Sequence, residues 1–520
     1  MFHYDEPPAL TRKQRWKLLV WPLGLALLAL ACTGSGTNPP AATPYFPTPT
    51  ATPQLFSDGT FSLPLPNWPA VETSDPNTLI TVTDGGRAVA IARHAALPRS
   101  LGRHLLRILP DYGFSEPTLD ERGPAEVRLD ASIPGSTPQR ARLVALYCRG
   151  ASYLVTGSSP AAAFSDFEPF FEQLLNQATC QDSPTPDPAG PGMIGLFANP
   201  ANDDFSLANW RAALRAARAA GAQATHLYLA WDQVETAPGE YDWGIADHLL
   251  DLPWLEGLRL SLVIEFIHTS VIGPRPADLN GLDLSDPRLV ERAAAFAAAV
   301  AERYGDQLDY LALGNEVNIY LADDPQKLDT FLAFLDTVRA AVRRARPDLP
   351  TGTVLAFHEL QNSGRLALID AFKDNDFLAY TYYPHGPGFA YDGDPNGFGQ
   401  VLEQMITLSG QTPFLVVENG WATAATLGGS EERQAAYIQA TFAALQEHRQ
   451  AFQRHVWFGL HDGLPENCAK SALSFVEAGF DPATAGDFWP RFQDYLCTLG
   501  LRYRDGASKQ GWAAFQTGVR

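Results

Sequence analysis

From residue 192 onward, short apolar runs alternate with longer segments in which apolar positions recur at helical spacing. The runs MIGLFAN, THLYLAW, LSLVIEFIH, DYLALGNE, GTVLAFH, FLAYTYY, PFLVVEN and HVWFGLHD read as strands, with WRAALRAARAAG and ERAAAFAAAVAERYG among the helices between them. Eight such units predict an α/β fold, a (β/α)8 TIM barrel over 192–520. The competing topology is an open doubly wound sheet. No first turn carries the GxGxxG or GxxxxGKS/T loop that would give such a sheet its usual chemistry.

Residues 55–180 are patterned differently. LITVTDGGRAVAIARH alternates apolar and polar positions around Asp84-Gly85-Gly86, which predicts a β-hairpin. RLVALYC and SYLVTGS read as further strands, and FSDFEPFFEQLLNQ as an amphipathic helix packed on them. The expectation is a small α+β module with a binding or spacer role, since it contains no paired acids, metal-ligand cluster or phosphate loop. Its opening FSLPLPNWP, its meander and its closing helix resemble the PsbP-like sandwich. QDSPTPDPAGP, at 181–191, is the expected linker between the two regions.

The N-terminus bears on location. Arg12, Lys13, Arg15 and Lys17 precede an apolar run from Leu18 to Ala31 that contains Pro22 and ends at Cys32. The run is shorter than the ~20 residues a spanning helix needs. Segment 1–32 resembles a bacterial lipoprotein signal, which implies a lipid on Cys32 and a membrane-anchored, extracytoplasmic protein. An uncleaved anchor and ordinary secretion are the alternatives. Residues 33–54, rich in Thr and Pro, predict an extended tether. Four cysteines remain beyond Cys32; three pairings of them are possible, free buried thiols are the alternative, and in an oxidising compartment Cys148 with Cys180 and Cys468 with Cys497 are the favoured pairs. The formal charge of -20 makes nucleic acid a poor partner and leaves neutral ligands favoured. A monomer is expected.

Candidate chemistry sits where apolar strands end, because barrel active sites lie at the C-terminal ends of the strands. Glu316 closes LALGNE on the fourth strand and Glu418 closes PFLVVE on the seventh. Two carboxyl groups, one protonated and one ionised, are what glycoside hydrolysis requires. GNEV at 314–317 and VVENGW at 416–421 resemble the strand-four and strand-seven signatures of clan A glycoside hydrolases. That resemblance implies a retaining mechanism with Glu316 as acid/base and Glu418 as nucleophile. It makes Asn315 a partner of the sugar 2-hydroxyl, Tyr383 (or Tyr382) a partner of the nucleophile and Trp457 the floor under the scissile sugar. His268 and Trp231 are further expected substrate contacts, with His358 and His461 less specific.

Within the clan the sixth strand and the ENGW turn resemble endo-β-1,4-galactanases, β-glucanases and β-mannanases. One departure stands out: the strand-two end, LYLAW, lacks the arginine that many clan members place there. The expected substrate is a β-linked oligo- or polysaccharide. A catalytically silent sugar-binding or cell-envelope interaction lipoprotein and a transglycosylase using the same residues are the alternatives. Neither a metal nor another cofactor is expected, since HExxH, an EF-hand loop and CxxC are all missing, as is the GxSxG elbow of serine hydrolases.

Overall fold

The computed structural model describes residues 54–519 apart from 73–76, 97, 113, 124, 135, 181–189, 392 and 478–486. The signal segment, Cys32 and nearly all of the tether and linker therefore lie outside the described residues. The chain divides into two compact units at Pro188/Ala189.

The first unit is α+β. Its antiparallel sheet runs, in spatial order, Thr78–Asp84, Arg87–His94, Ala151–Pro160, Gln139–Cys148, Glu126–Ile133 and Ser115–Gly123. The first pair is the expected hairpin. Asp84 pairs with Arg87 across Gly85 and Gly86, whose φ values of 56° and 84° are those of a tight two-residue turn that glycine makes without strain. Helix Phe164–Leu175 places Phe164, Phe167, Phe171, Leu174 and Leu175 in the core, at the i, i+3, i+7 spacing seen in the sequence. Cys148 is bonded to Cys180.

The second unit is a closed barrel of parallel strands: β1 (Met193–Phe197), β2 (Ala224–Leu229), β3 (Arg259–His268), β4 (Leu308–Asn315), β5 (Thr351–Ala356), β6 (Phe377–Tyr382), β7 (Phe414–Asn419) and β8 (Arg454–Phe458). Each strand pairs with the next, and β8 pairs back onto β1. Strands sandwiched between an inner core and an outer helical layer are buried on both faces, which is why they read as unbroken apolar runs. Val263, Ala312, Val354, Ala379, Leu415 and Val417 share one buried cluster contributed by five strands.

Toward the start of β4, Asp309 accepts from Arg259 Nε at 2.9 Å and from Arg454, which is 1% exposed. The outer helices include α1 (Leu207–Ala220), α2 (Gly244–Leu255), α3 (Pro287–Tyr304), α4 (Pro325–Ala345), α5 (Phe398–Ser409) and α6 (Glu431–Glu447). Helix α3 shows why they form: Asp286 caps the Arg288 amide, Pro287 sits in the first turn, and Leu289, Ala293, Phe296, Ala297, Val300 and Tyr304 make one buried stripe.

After β8 the chain adds α7 (Pro465–Glu477) and α8 (Phe488–Cys497), joined by the disulfide Cys468–Cys497, and ends in α9 (Gln510–Gly518). Both disulfides are the expected pairs.

Candidate active site

The C-terminal ends of the strands surround a cavity of about 460 Å³. Glu316 and Glu418 both line it, with Asn315, His268 and Tyr383. Local backbone departures aim these groups. The β3–β4 ladder slips between Ile264 and His268, and the β7–β8 ladder between Val416 and Asn419, so the regular alternation breaks where the polar residues stand. Gly314 takes a φ of 117°, and a Cβ there would lie 2.8 Å from Val317 Cγ1. Glu316 itself sits in the left-handed region at φ 51°, and Thr269 at 54°. Such conformations in residues other than glycine cost on the order of 1–3 kcal/mol each and concentrate at functional sites.

The two carboxyl groups have different surroundings. Glu316 accepts from Thr381 Oγ1 at 2.6 Å and from Thr269 Oγ1 at 3.0 Å. Burial, followed by the charge of Glu418, pushes its pKa up to about 7. Glu418 Oε2 accepts from the Tyr383 hydroxyl at 2.5 Å, and Oε1 accepts from the Tyr228 hydroxyl. Burial raises the Glu418 pKa as well, but the two phenols pull against it. Both phenols are pushed well above their ordinary range, by burial and by the Glu418 charge, so they remain protonated donors. The pair therefore sets a carboxyl group poised to hold a proton, Glu316, beside one that burial also pushes up but whose ionised form two phenol donors support, Glu418.

Supporting groups complete the pocket. His268 Nδ1 lies 2.9 Å from Glu265 Oε1, and Glu265 is itself buried at the pocket. The Asn315 amide oxygen has no partner among the described residues, leaving an acceptor for a ligand hydroxyl. His358 and His385 pack with ring centroids 4.8 Å apart, and burial pushes His385 down to about 4 and His358 well below its usual value, so both are neutral. His461 is fixed by Asn199, whose backbone oxygen lies 2.8 Å from its Nδ1. Among the described residues, every charged side chain lining the cavity is acidic: Asp203, Glu265, Glu316, Glu359 and Glu418. No group of described residues suits a metal ion.

Two expected contacts are corrected. Trp457 is 1% exposed and packs outward against Tyr437 of α6, with ring centroids 5.9 Å apart; its neighbour Phe458 lines the cavity instead. Successive residues of a strand face opposite ways, so an assignment one residue off selects the wrong ring. Phe458 stacks on Phe197 at 4.7 Å and meets Tyr383 edge-on at 6.4 Å. Trp231 likewise is buried outside this cavity, stacked on Phe296 at 5.8 Å with its Nε1 donating to Glu235 Oε2 at 2.5 Å. The same alternation decides between the tyrosines: Tyr382 packs against Phe398 of α5, and Tyr383 holds Glu418.

Sequence reading missed Tyr228, Glu265, Thr269, Thr381 and Phe458. Glu265 was visible as the lone acid inside SLVIEFI. The two threonines give no signal, because strand-end threonine is ordinary.

The closed eight-stranded parallel barrel is the fold that the resemblance to clan A glycoside hydrolases implies. No family model matches the chain, and no curated protein does. Solved structures similar to it include a GH5_18 variant from Streptomyces cattleya in complex with Manb1-4GlcNAc, at 18% identity and TM-score 0.49, covering 63% of this chain and 80% of that one. Another is the exo-beta-1,4-mannosidase Op5Man5 from Opitutaceae bacterium strain TAV5, at 21% identity and TM-score 0.47, covering 65% and 62%. A third is a family 39 glycoside hydrolase from Bacteroides cellulosilyticus WH2, at 17% identity and TM-score 0.44, covering 78% and 80%.

Proposed function

We propose that this chain is a retaining β-glycoside hydrolase with Glu316 as acid/base and Glu418 as nucleophile. The observation that carries the reading is the pair of buried carboxyl groups at the ends of β4 and β7, one with its pKa raised to about 7 and the other held by two phenol donors.

In the first step the Glu418 carboxylate attacks the anomeric carbon while the Glu316 proton passes to the glycosidic oxygen, and the alcohol leaves. In the second, Glu316 takes a proton from water as the water oxygen attacks the same carbon, and Glu418 is released as carboxylate. The sum is glycoside plus water giving alcohol plus free sugar of unchanged configuration. Asn315, with its open acceptor, takes the sugar 2-hydroxyl, and Phe458 supplies the apolar floor first expected of Trp457. His268, on the Glu265 carboxylate, faces the ring hydroxyls.

The test is a panel of β-glycosyl fluorides assayed for fluoride release, with ¹H NMR of the first-formed sugar. A β product from a β substrate is expected; an α product would mean inversion. We place this activity outside the cytoplasm, tethered through lipid on Cys32. Cys32→Ala should then move the protein from the membrane to the soluble fraction, and unchanged membrane retention would refute the lipid tether.

A further inference from the structure

The cavity has two kinds of lining. Hydrogen-bonding groups gather at the strand ends around Glu316 and Glu418. A second lining is aromatic: Phe389, in the loop after β6, with Phe488, Trp489, Phe492 and Tyr495 of α8. These rings form a continuous surface. Phe389 stacks on Phe492 (5.0 Å, 25°) and on Tyr495 (5.0 Å, 20°), and Phe488 stacks on Phe492 (5.7 Å, 30°). Tyr495 meets Tyr383 edge-on at 5.4 Å, and Tyr383 bonds Glu418, so the wall begins one ring away from the carboxylate.

The wall is also pinned in place. Arg491 of α8 donates to the Gly388 carbonyl at 2.5 Å and to the Thr426 carbonyl at 2.9 Å, tying the helix to the loop that carries Phe389. The disulfide Cys468–Cys497 holds the other end of α8 to α7.

Phe389, Phe488 and Phe492 are half-buried and have no polar side-chain atom. A second sugar could stack its C–H face on these three rings as the first does on Phe458, but they offer its hydroxyls no hydrogen bond, so it gains less there than an apolar group of equal area. An alkyl chain or aryl ring carries no such hydroxyls, and a wall already in position spares the ordering cost of binding. The polar glycone belongs with the strand-end groups, so the wall takes what is attached to it.

Resting on the retaining-glycosidase reading, we propose that the site hydrolyses glycosides whose aglycone is an apolar alkyl or aryl group seated on this wall. That departs from the oligo- or polysaccharide expected from the sequence.

The experiment uses the full chain. β-Glucosyl, β-galactosyl and β-mannosyl fluorides, whose leaving group is too small to reach the wall, identify the sugar accepted. The methyl and octyl β-glycosides of that sugar, whose leaving alcohols are of similar basicity, are then compared with its β-1,4-linked disaccharide. A kcat/KM at least about tenfold higher for octyl than for methyl is expected, with the disaccharide below octyl. Phe492→Ala should bring the octyl-to-methyl ratio close to one, and Phe492→Leu should give an intermediate ratio. The wild-type ratio is decisive even where a variant misfolds. Fluoride turnover with equal octyl and methyl rates, or with the disaccharide preferred, overturns this inference alone. No turnover of any fluoride overturns the glycosidase reading and this inference with it.

Discussion

Tyr228 donates its hydroxyl hydrogen to Glu418 Oε1 from the end of β2, the strand whose LYLAW sequence lacks the expected arginine. With Tyr383 on the other oxygen, the carboxylate is held by two neutral donors, and no cation lines the cavity among the described residues. Neutral donors stabilise an anion less than a guanidinium does, which fits a Glu418 pKa that burial still raises.

Tyr228→Phe removes one of the two bonds that favour the ionised form, so the Glu418 pKa should rise further. The acidic limb of the kcat/KM profile then moves to higher pH, and kcat falls by roughly tenfold or more. A pH-rate series on the best fluoride substrate checks this. An unmoved acidic limb would show that Tyr228 only fills space.

The raised pKa of Glu316 also makes a stability prediction. Its folded value of about 7 lies above the usual carboxyl value of 4.5, so the folded state binds the extra proton. Stability from this group is fully present below about pH 4.5 and is lost as pH rises through about 7. Glu316→Gln keeps the Thr381 and Thr269 contacts within reach while abolishing the titration. Its melting temperature should exceed that of the wild type at about pH 8, with the gap closing toward about pH 4.5, while turnover falls by orders of magnitude. A variant that melts below the wild type on the alkaline side would contradict the assigned environment.

The barrel has its own electrostatic clasp. Among the described residues, Asp309 is the carboxylate bonded to Arg454, which is 1% exposed, and it also holds Arg259. Asp309→Ala leaves a buried guanidinium unpaired and should destabilise the second unit by about 3–5 kcal/mol, read from denaturant unfolding. A loss below about 1 kcal/mol would mean that water reaches Arg454.

The sequence made some of this legible and hid the rest for physical reasons. The barrel was readable because each strand is buried on both faces and so appears as an apolar run, and Glu316 and Glu418 stood out by ending such runs. Asn315 and Tyr383 came from motif resemblance, and the structure brings both to the cavity. Trp457 failed because a single-residue slip exchanges the two faces of β8, and nothing in HVWF marks which aromatic turns inward. Trp231 failed because its indole satisfies Glu235 inside a packed aromatic layer. The aromatic wall was illegible because Phe389 and the α8 rings come from segments far apart in the chain.

Attack on the anomeric carbon is the role proposed for Glu418. Incubation of the full chain with the 2-deoxy-2-fluoro-β-glycosyl fluoride of the accepted sugar, followed by peptide mass spectrometry, tests it most directly. The slow second step lets the covalent intermediate accumulate as fluoride departs. One fluoroglycosyl adduct located on Glu418, with matching loss of activity, is the predicted result. An adduct on another residue, or inactivation-free turnover with no adduct, would contradict the account.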